Sequence, residues 1–424
     1  MAQYFHAHHV DTSKCKGHRS CMRRCPTQAI RVRNGKAIIS DELCVDCGNC
    51  IEACPEGAVV ATSDILNGIS RFQYKVMVPS PVLYAQFEPR IHPYVIHMAL
   101  KRIGFDEVVD VTISSIALSR ALELYLRDYK GRLPLISSYC PCIVRLIQVK
   151  YPDLVELIVP LEVPREITAR EIRKGFPQKL NIPAEEIGLF YMATCPAKVV
   201  SVKQPAEKNK SWFDGVVSVK DVYSILVHLV PVINKEFDER MVPDDFAFNS
   251  EWVTTGSLTR FANKENWLNV SGLENVVKIL DDIENSRLRN ISFIEVTAHM
   301  LGCVGGPYNV ENPYLARANS IRQDEKYEKH IPTNDIEVER QLKEGHFSME
   351  FPILPRPTRY FDTDLETSIK RMKERERVFQ KLPQIDCGCC GSPTCLAFAE
   401  DFVRGSVTLI DCYHFLSSST NEKP

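Results

Sequence analysis

Cys44, Cys47, Cys50 and Cys54 are spaced C-x2-C-x2-C-x3-C and are followed by Pro55. Thiolates at these intervals can wrap one face of a 4Fe-4S cubane, while the Cys before Pro reaches a neighbouring cluster. Zinc sites instead pair two C-x2-C units across a longer gap. An earlier copy, Cys15, His18, Cys21 and Cys25 before Pro26, lies about 29 residues upstream. His18 stands there where a Cys is expected. The crossed pattern assigns Cys15, His18, Cys21 and Cys54 to one cluster, and Cys44, Cys47, Cys50 and Cys25 to the other. A neutral imidazole in place of an anionic thiolate removes one negative charge, which should raise the reduction potential, as His ligation does in Rieske centres. The alternative is a three-thiolate cluster beside a surface His18. His6, His8 and His9 read as a solvated stretch rather than as ligands.

A third set closes the chain. Cys387, Cys390, Cys395 and Cys412 form C-x2-C-x4-C-x16-C, with Cys389 as a surplus thiol. Ser392 can cap a helix, Pro393 can open it and Gly405 suits its end. Cys395 then falls in the first turn, where the helix dipole favours a thiolate. The segment resembles the small four-cysteine 4Fe-4S domain of several redox proteins. Zinc is the alternative, since four cysteines alone do not name the metal.

The elements that position these groups must come from a chain of 424 residues, long enough for about three domains. Charged residues are 25% and hydrophobic residues 44%, an ordinary globular balance. The 16 cysteines would not be disulfides in a reducing compartment. A formal net charge of −2 gives no reason to expect nucleic acid or an anionic membrane as partner. No apolar run approaches the ~18–20 residues of a membrane span, and MAQYFHAHHVDTSK lacks a secretory apolar core. A cytoplasmic, anaerobic setting is expected.

Five cysteines remain: Cys140, Cys142, Cys195, Cys303 and the surplus Cys389. The middle of the chain alternates between strand and helix patterns. Strands are expected at 74–78, 107–113, 133–137, 188–193 and 291–297, and helices at 94–103 and 115–128. This alternation argues parallel α/β structure. Cys140 follows one expected strand, Cys195 another, and His299 with Cys303 a third. Ligands in open α/β sheets bind beyond the carboxyl ends of strands, so three loops could bring sulfur to one cavity. Buried apolar cysteines are the alternative. A Pro-rich linker is expected at 351–359 and a solvated amphipathic helix at 364–381.

Three loops carry a resemblance. SSYCPCIVRLIQVKYPDL is similar to the first signature of the iron-only hydrogenases, a Thr-Ser-Cys-Cys-Pro loop. ATCPAKV resembles their second, Pro-Cys-x-x-Lys. EVTAHMLGCVGGP resembles their third, a Glu followed by a C-x3-C pair and a Gly-rich tail. All three occur in family order, behind a two-cluster ferredoxin domain. The resemblance implies a two-lobed parallel-sheet α/β core at 70–350, a two-cluster ferredoxin domain at 1–65 and a small helical 4Fe-4S domain at 360–424. It implies that Cys140, Cys195 and Cys303 hold a central 4Fe-4S cluster, with Cys303 bridging to a diiron subsite that carries CO and cyanide. His299 stands at the fourth ligand place and Cys142 is an alternative. Lys198 matches the Lys that hydrogen-bonds a diatomic ligand. Tyr139 replaces the proton-relay Cys, and a free Tyr, with a pKa of about 10, is a poor shuttle near neutrality. Ala193 and Thr297 replace two methionines that pack round the diiron site. Glu295 reads either as a proton carrier or as a strand-end carboxylate satisfied by backbone.

The expectation is an iron–sulfur oxidoreductase. Electrons would move through 4Fe-4S clusters, two N-terminal, one central and one C-terminal, to or from a hydrogenase-type site. The alternative is an electron-transfer or redox- or hydrogen-sensing subunit that keeps the fold, and His299 and Tyr139 oppose efficient turnover of hydrogen. The partner would be a redox protein: a ferredoxin-like carrier, an oxidoreductase subunit or a signalling protein.

Overall fold

The computed structural model describes residues 4–64, 66–260, 266–328, 331, 334–356 and 364–415. The chain forms two compact units. One joins Met1–Thr62 to Arg356–Pro424, and the other is Ser63–Pro355.

In the first unit, strand His8–Val10 pairs antiparallel with Val59–Ala61, and Ile30–Arg33 with Lys36–Ile39. The second pair is a hairpin whose two turn residues, Asn34 and Gly35, both take positive φ, as a two-residue primed turn requires. Short helices Ser20–Arg23 and Asn49–Ala53 each begin after a left-handed residue, Arg19 and Gly48. Met22, Ile30, Val32, Ala37, Ala58 and Val59 form the core between them. Toward the C-terminus, helix Leu365–Lys381 starts at Asp364, whose carboxylate accepts from Thr367 N at 2.8 Å. Helix Cys395–Val403 packs on it through Phe398 and Ala399 against Val378 and Leu382. Its cap is Thr394, which accepts from Ala397 N at 3.0 Å, rather than the expected Ser392. Ser392 is fully buried and donates to Asp401 Oδ2 at 2.7 Å, so that partner takes the hydroxyl away from capping.

The second unit holds two parallel sheets. One has the order Glu107–Val108, Tyr74–Val78, Ile187–Ala193, Gly215–Ser218. The other has Trp267–Ser271, Phe293–Thr297, Leu135–Ile136. Every residue of Ile187–Ala193 is buried, the pattern of a strand covered on both faces. The parallel-sheet expectation is therefore met by two sheets. Strand 107–113 is shorter than its apolar pattern implies: Thr112 opens helix Thr112–Asp128, while Asp110 accepts from the Tyr84 hydroxyl at 2.6 Å. Strands Gly215–Ser218 and Trp267–Ser271 carried too short a pattern to be expected. The linker stretch 351–359 is described only as far as residue 356.

Candidate functional site

The N-terminal repeat brings its sulfurs together in the crossed arrangement. Cys15, His18, Cys21 and Cys54 line one cavity, with Val32 and Glu56. The thiols of Cys47 and Cys50 are pushed up, chiefly by burial and then by the charge of Cys25, Cys50 to about 12. Buried thiols of this kind do not ionise alone, and a cationic cluster core would supply the charge that burial withholds. Backbone amides are already aimed at sulfur: Ala29 N at Cys25 Sγ (3.2 Å), Ala37 N at Cys15 Sγ (3.4 Å) and Ala58 N at Cys54 Sγ (3.3 Å). The donor set and these amides fit two cubanes.

The two halves differ in their histidines. The His18 side chain is 48% exposed, and its Nε2 lies 3.0 Å from Glu56 Oε1. His8, expected to be solvated, is buried, with Nε2 3.7 Å from Cys44 Sγ and Nδ1 3.4 Å from Asp46 Oδ1. His6 Nδ1 lies 2.8 Å from Asp46 Oδ2, and Ala7 N donates to Oδ1. Burial works against the Asp46 charge, but His6 and His8 outweigh it and hold the carboxyl well below the usual range. Sequence reasoning missed this group. Its one signal was the alternation of His6 and His8 in an otherwise polar start; the buried carboxylate that orients them lies 40 residues from His6.

In the C-terminal set, Cys387 and Cys412 both act on the Cys390 thiol. Cys395 opens its helix, and its amide donates to Asp386 Oδ1 at 2.6 Å. Cys389 is exposed.

The central set follows the strand ends. Cys140 and Cys195 immediately precede helices Pro141–Lys150 and Pro196–Lys203, each with Pro at its first position. Cys303 lies in the turn after Phe293–Thr297, behind a left-handed Gly302. The three thiols act on one another electrostatically, and burial pushes Cys195 up to about 12. Lys198 is 3% exposed and donates to Cys303 Sγ at 3.2 Å. Burial opposes its charge, yet Cys303, Tyr139 and Tyr191 raise it well above an ordinary lysine. Tyr139 lies 3.8 Å from Cys303 Sγ and donates its hydroxyl to Trp252 O at 3.1 Å. Burial pushes the phenol well above its usual value, with Cys303 adding to it. His299 is buried in the turn before Cys303, and its carbonyl accepts from Gly302 N. Cys142 is fully buried inside its helix. Both oxygens of Glu295 accept backbone amides, from Gly256 and Leu258, each at 3.1 Å.

Sequence reasoning also missed a buried charge cluster next to Tyr139. Lys208 is ion-paired to Glu162 and lies 3.4 Å from Glu166. Burial pushes the Glu162 carboxyl up to about 7 against the pull of Lys208. Ser138, Tyr139, Glu162, Arg165 and Ser201 line one cavity. Nothing periodic marks these residues, because the partners come from separate segments.

Family models match three stretches: the iron only hydrogenase large subunit, C-terminal domain, over residues 73–246; a 4Fe-4S dicluster domain over 8–55; and an Fe-S cluster domain over 382–414. These matches support an iron-only hydrogenase-like reading, carried by residues 73–246 behind a 4Fe-4S dicluster domain. The chain is 23% identical over 191 residues to the NADP-reducing hydrogenase subunit HndD of Solidesulfovibrio fructosivorans, a match covering 39% of this chain and 32% of that protein. It is 23% identical over 136 residues to iron hydrogenase 1 of Clostridium pasteurianum, covering 31% of this chain and 24% of that protein. The chain thus spans about a third or less of the length of these relatives. A solved FeFe-hydrogenase from Chlamydomonas reinhardtii aligns with 70% of this chain and 97% of its own, at 15% identity and a TM-score of 0.48.

Proposed function

We propose that this hydrogenase-like chain is an iron–sulfur oxidoreductase that moves electrons through four 4Fe-4S clusters. Two are held by the N-terminal repeat, one by Cys387, Cys390, Cys395 and Cys412, and one by Cys140, Cys195 and Cys303 with His299. The observation that carries the reading is the convergence of Cys140, Cys195 and Cys303 from three loops, with the Lys198 ammonium 3.2 Å from Cys303. Clusters bound there would supply one-electron storage. The residues do the rest. Lys198 holds positive charge against the Cys303 sulfur. Burial of Cys195 and Lys198 excludes water. Glu295, with both oxygens bonded to backbone, fixes the loop that follows Trp252 and does not carry protons.

His18 supports the same reading for the first cluster. A metal-ligating His commonly donates its other ring N–H to a carboxylate. With Nε2 on Glu56, the Nδ1 edge is left for iron.

Tyr139 favours a second reading, an electron-transfer or sensing subunit that does not turn over hydrogen. Its hydroxyl is bonded to the Trp252 carbonyl, at the place where the family has a relay thiol. A redox partner protein fits either reading, as does the relative HndD, a subunit by name. Among the described residues no helix is long and apolar enough to cross a membrane, which fits the cytoplasmic setting proposed here.

Infrared spectroscopy on protein made anaerobically with hydrogenase maturation factors separates the readings. Iron-bound CO and cyanide bands would favour hydrogen chemistry. Their absence, with iron and sulfide sufficient for four cubanes, would favour electron transfer. Cys303→Ala should cost the iron of one whole cluster, and full iron content in that variant would remove the central assignment.

A further inference from the structure

The loop that carries Cys387 and Cys390 is seated on the N-terminal repeat, on the side of its first cluster site. Val32 N donates to Gly391 O at 2.8 Å. The approach is so close that a Cβ on Gly391 would lie 1.9 Å from Val32 O, and Gly391 has φ +78. Only glycine satisfies both conditions. Arg33 Nη1 donates to Cys390 O at 3.0 Å, and Arg23 Nη2 to Cys387 O at 3.3 Å. Arg33 and Arg31 both pair with Asp401, which also accepts from the buried Ser392. A Cβ on Gly388 would meet Met22 Cε at 3.0 Å. The loop is therefore held at several points on two short segments, 22–23 and 31–33.

Each segment has one residue at the first cluster site: Met22 packs in one apolar core with Cys15 and Cys21, and Val32 lines the cavity itself. Met22 is the neighbour of Cys21 and is 1% exposed. Val32 lines the cavity shared by Cys15, His18, Cys21 and Cys54. One residue, Val32, thus faces that cavity with its side chain and bonds the Cys390–Gly391 loop with its backbone. Val32 is therefore shared by the first cavity and by the loop that joins Cys390 to the C-terminal set. Partly buried arginine–carboxylate pairs hold the contact through charge-assisted hydrogen bonds, which are stronger than neutral ones.

We infer that the C-terminal cluster and the first N-terminal cluster are direct electron-exchange partners. The bridge runs through Val32 and the Cys390–Gly391 backbone, with Met22 beside it. One electron leaves the reduced cluster of the pair and enters the oxidised one, and no bond forms or breaks. The C-terminal cysteines then serve as an exchange port for the repeat. This rests on the reading that the three cysteine sets of this unit hold cubanes.

The test uses the full-length chain, assembled anaerobically, with iron and sulfide counted first. In Cys47→Ala, which removes the second cluster, dithionite reduction should give a first-cluster electron paramagnetic resonance signal that is split and relaxes fast through the C-terminal spin. Adding Cys390→Ala should abolish that splitting. The same comparison needs no substitution when the intact chain is poised on either side of the C-terminal cluster's midpoint. The first-cluster lineshape should change at that potential. A first-cluster signal indifferent to the C-terminal cluster, in samples with iron and sulfide for both, overturns the inference alone. Iron and sulfide too low for these cubanes overturn the reading beneath it.

Discussion

The two halves of the N-terminal repeat share a backbone and differ in nearly every side chain that tunes it. Left-handed residues recur at an offset of 29: Gly17 and Asp46, Arg19 and Gly48, Gln28 and Gly57. At each pair one copy has glycine and the other does not. The amide–sulfur contacts recur as well, Ala29 N to Cys25 and Ala58 N to Cys54. What the halves keep is the path of the chain round four ligand atoms. Three non-glycine residues are retained at positive φ, each at a cost of roughly 1–2 kcal/mol. Ligand geometry therefore constrains the backbone more strongly than local preference does. What diverges is the electrostatic setting. At the position of Cys47, which is buried, the first half has the half-exposed His18 beside Glu56. At the position of Gly17, the second half has Asp46, which orients His8 toward Cys44. The repeat thus offers one cluster site open to solvent and one enclosed by a buried His–Asp–His group.

The largest expected break in this comparison comes from removing one ligand of each half. Cys47→Ala should cost the iron and sulfide of a whole cubane. His18→Ala should leave the first cubane bound by three thiolates. Equal iron loss in the two variants would show that His18 is as indispensable as a cysteine.

Gly17→Ala comes next. Its Cβ would lie 2.7 Å from Gly35 O, at φ +71. The expected loss is about 3 kcal/mol by chemical denaturation under anaerobic conditions. Gly35→Ala, with φ +72 and open space around it, should cost about 1 kcal/mol. Similar losses in the two would mean that conformation, not the close contact, sets the price.

His18→Cys should make the first half resemble the second, lowering that cluster's potential by on the order of 100 mV through the added negative charge. An unchanged potentiometric titration removes His18 from the ligand set. The smallest effect is expected from His8→Phe. A thiolate bound to iron has no proton, so the His8 contact to Cys44 must be donated by the ring. A donor stronger by about 1.4 kcal/mol in the reduced state corresponds to about 59 mV for one electron. The second cluster should titrate lower by that order, and the first should not move.

The sequence alone determined most of what depends on short-range spacing. Cysteine intervals specify a ligand cage because a few residues can span only a limited set of positions around a cluster, and Cys15 to Cys54 carry that record whatever surrounds them. Strand Ile187–Ala193 was legible for a similar reason, since a strand covered on both faces needs a continuous apolar run. Tertiary structure decided what depends on distant partners. Asp46 is a surface residue by type and becomes buried only because His6 and His8 return from the N-terminus to meet it. Ser392 reads as a cap until Asp401 claims its hydroxyl. Lys208 with Glu162, and Gly391 against Val32, join residues with no shared periodicity, and burial, which sets the strength of every charge interaction here, is a property of the folded chain alone.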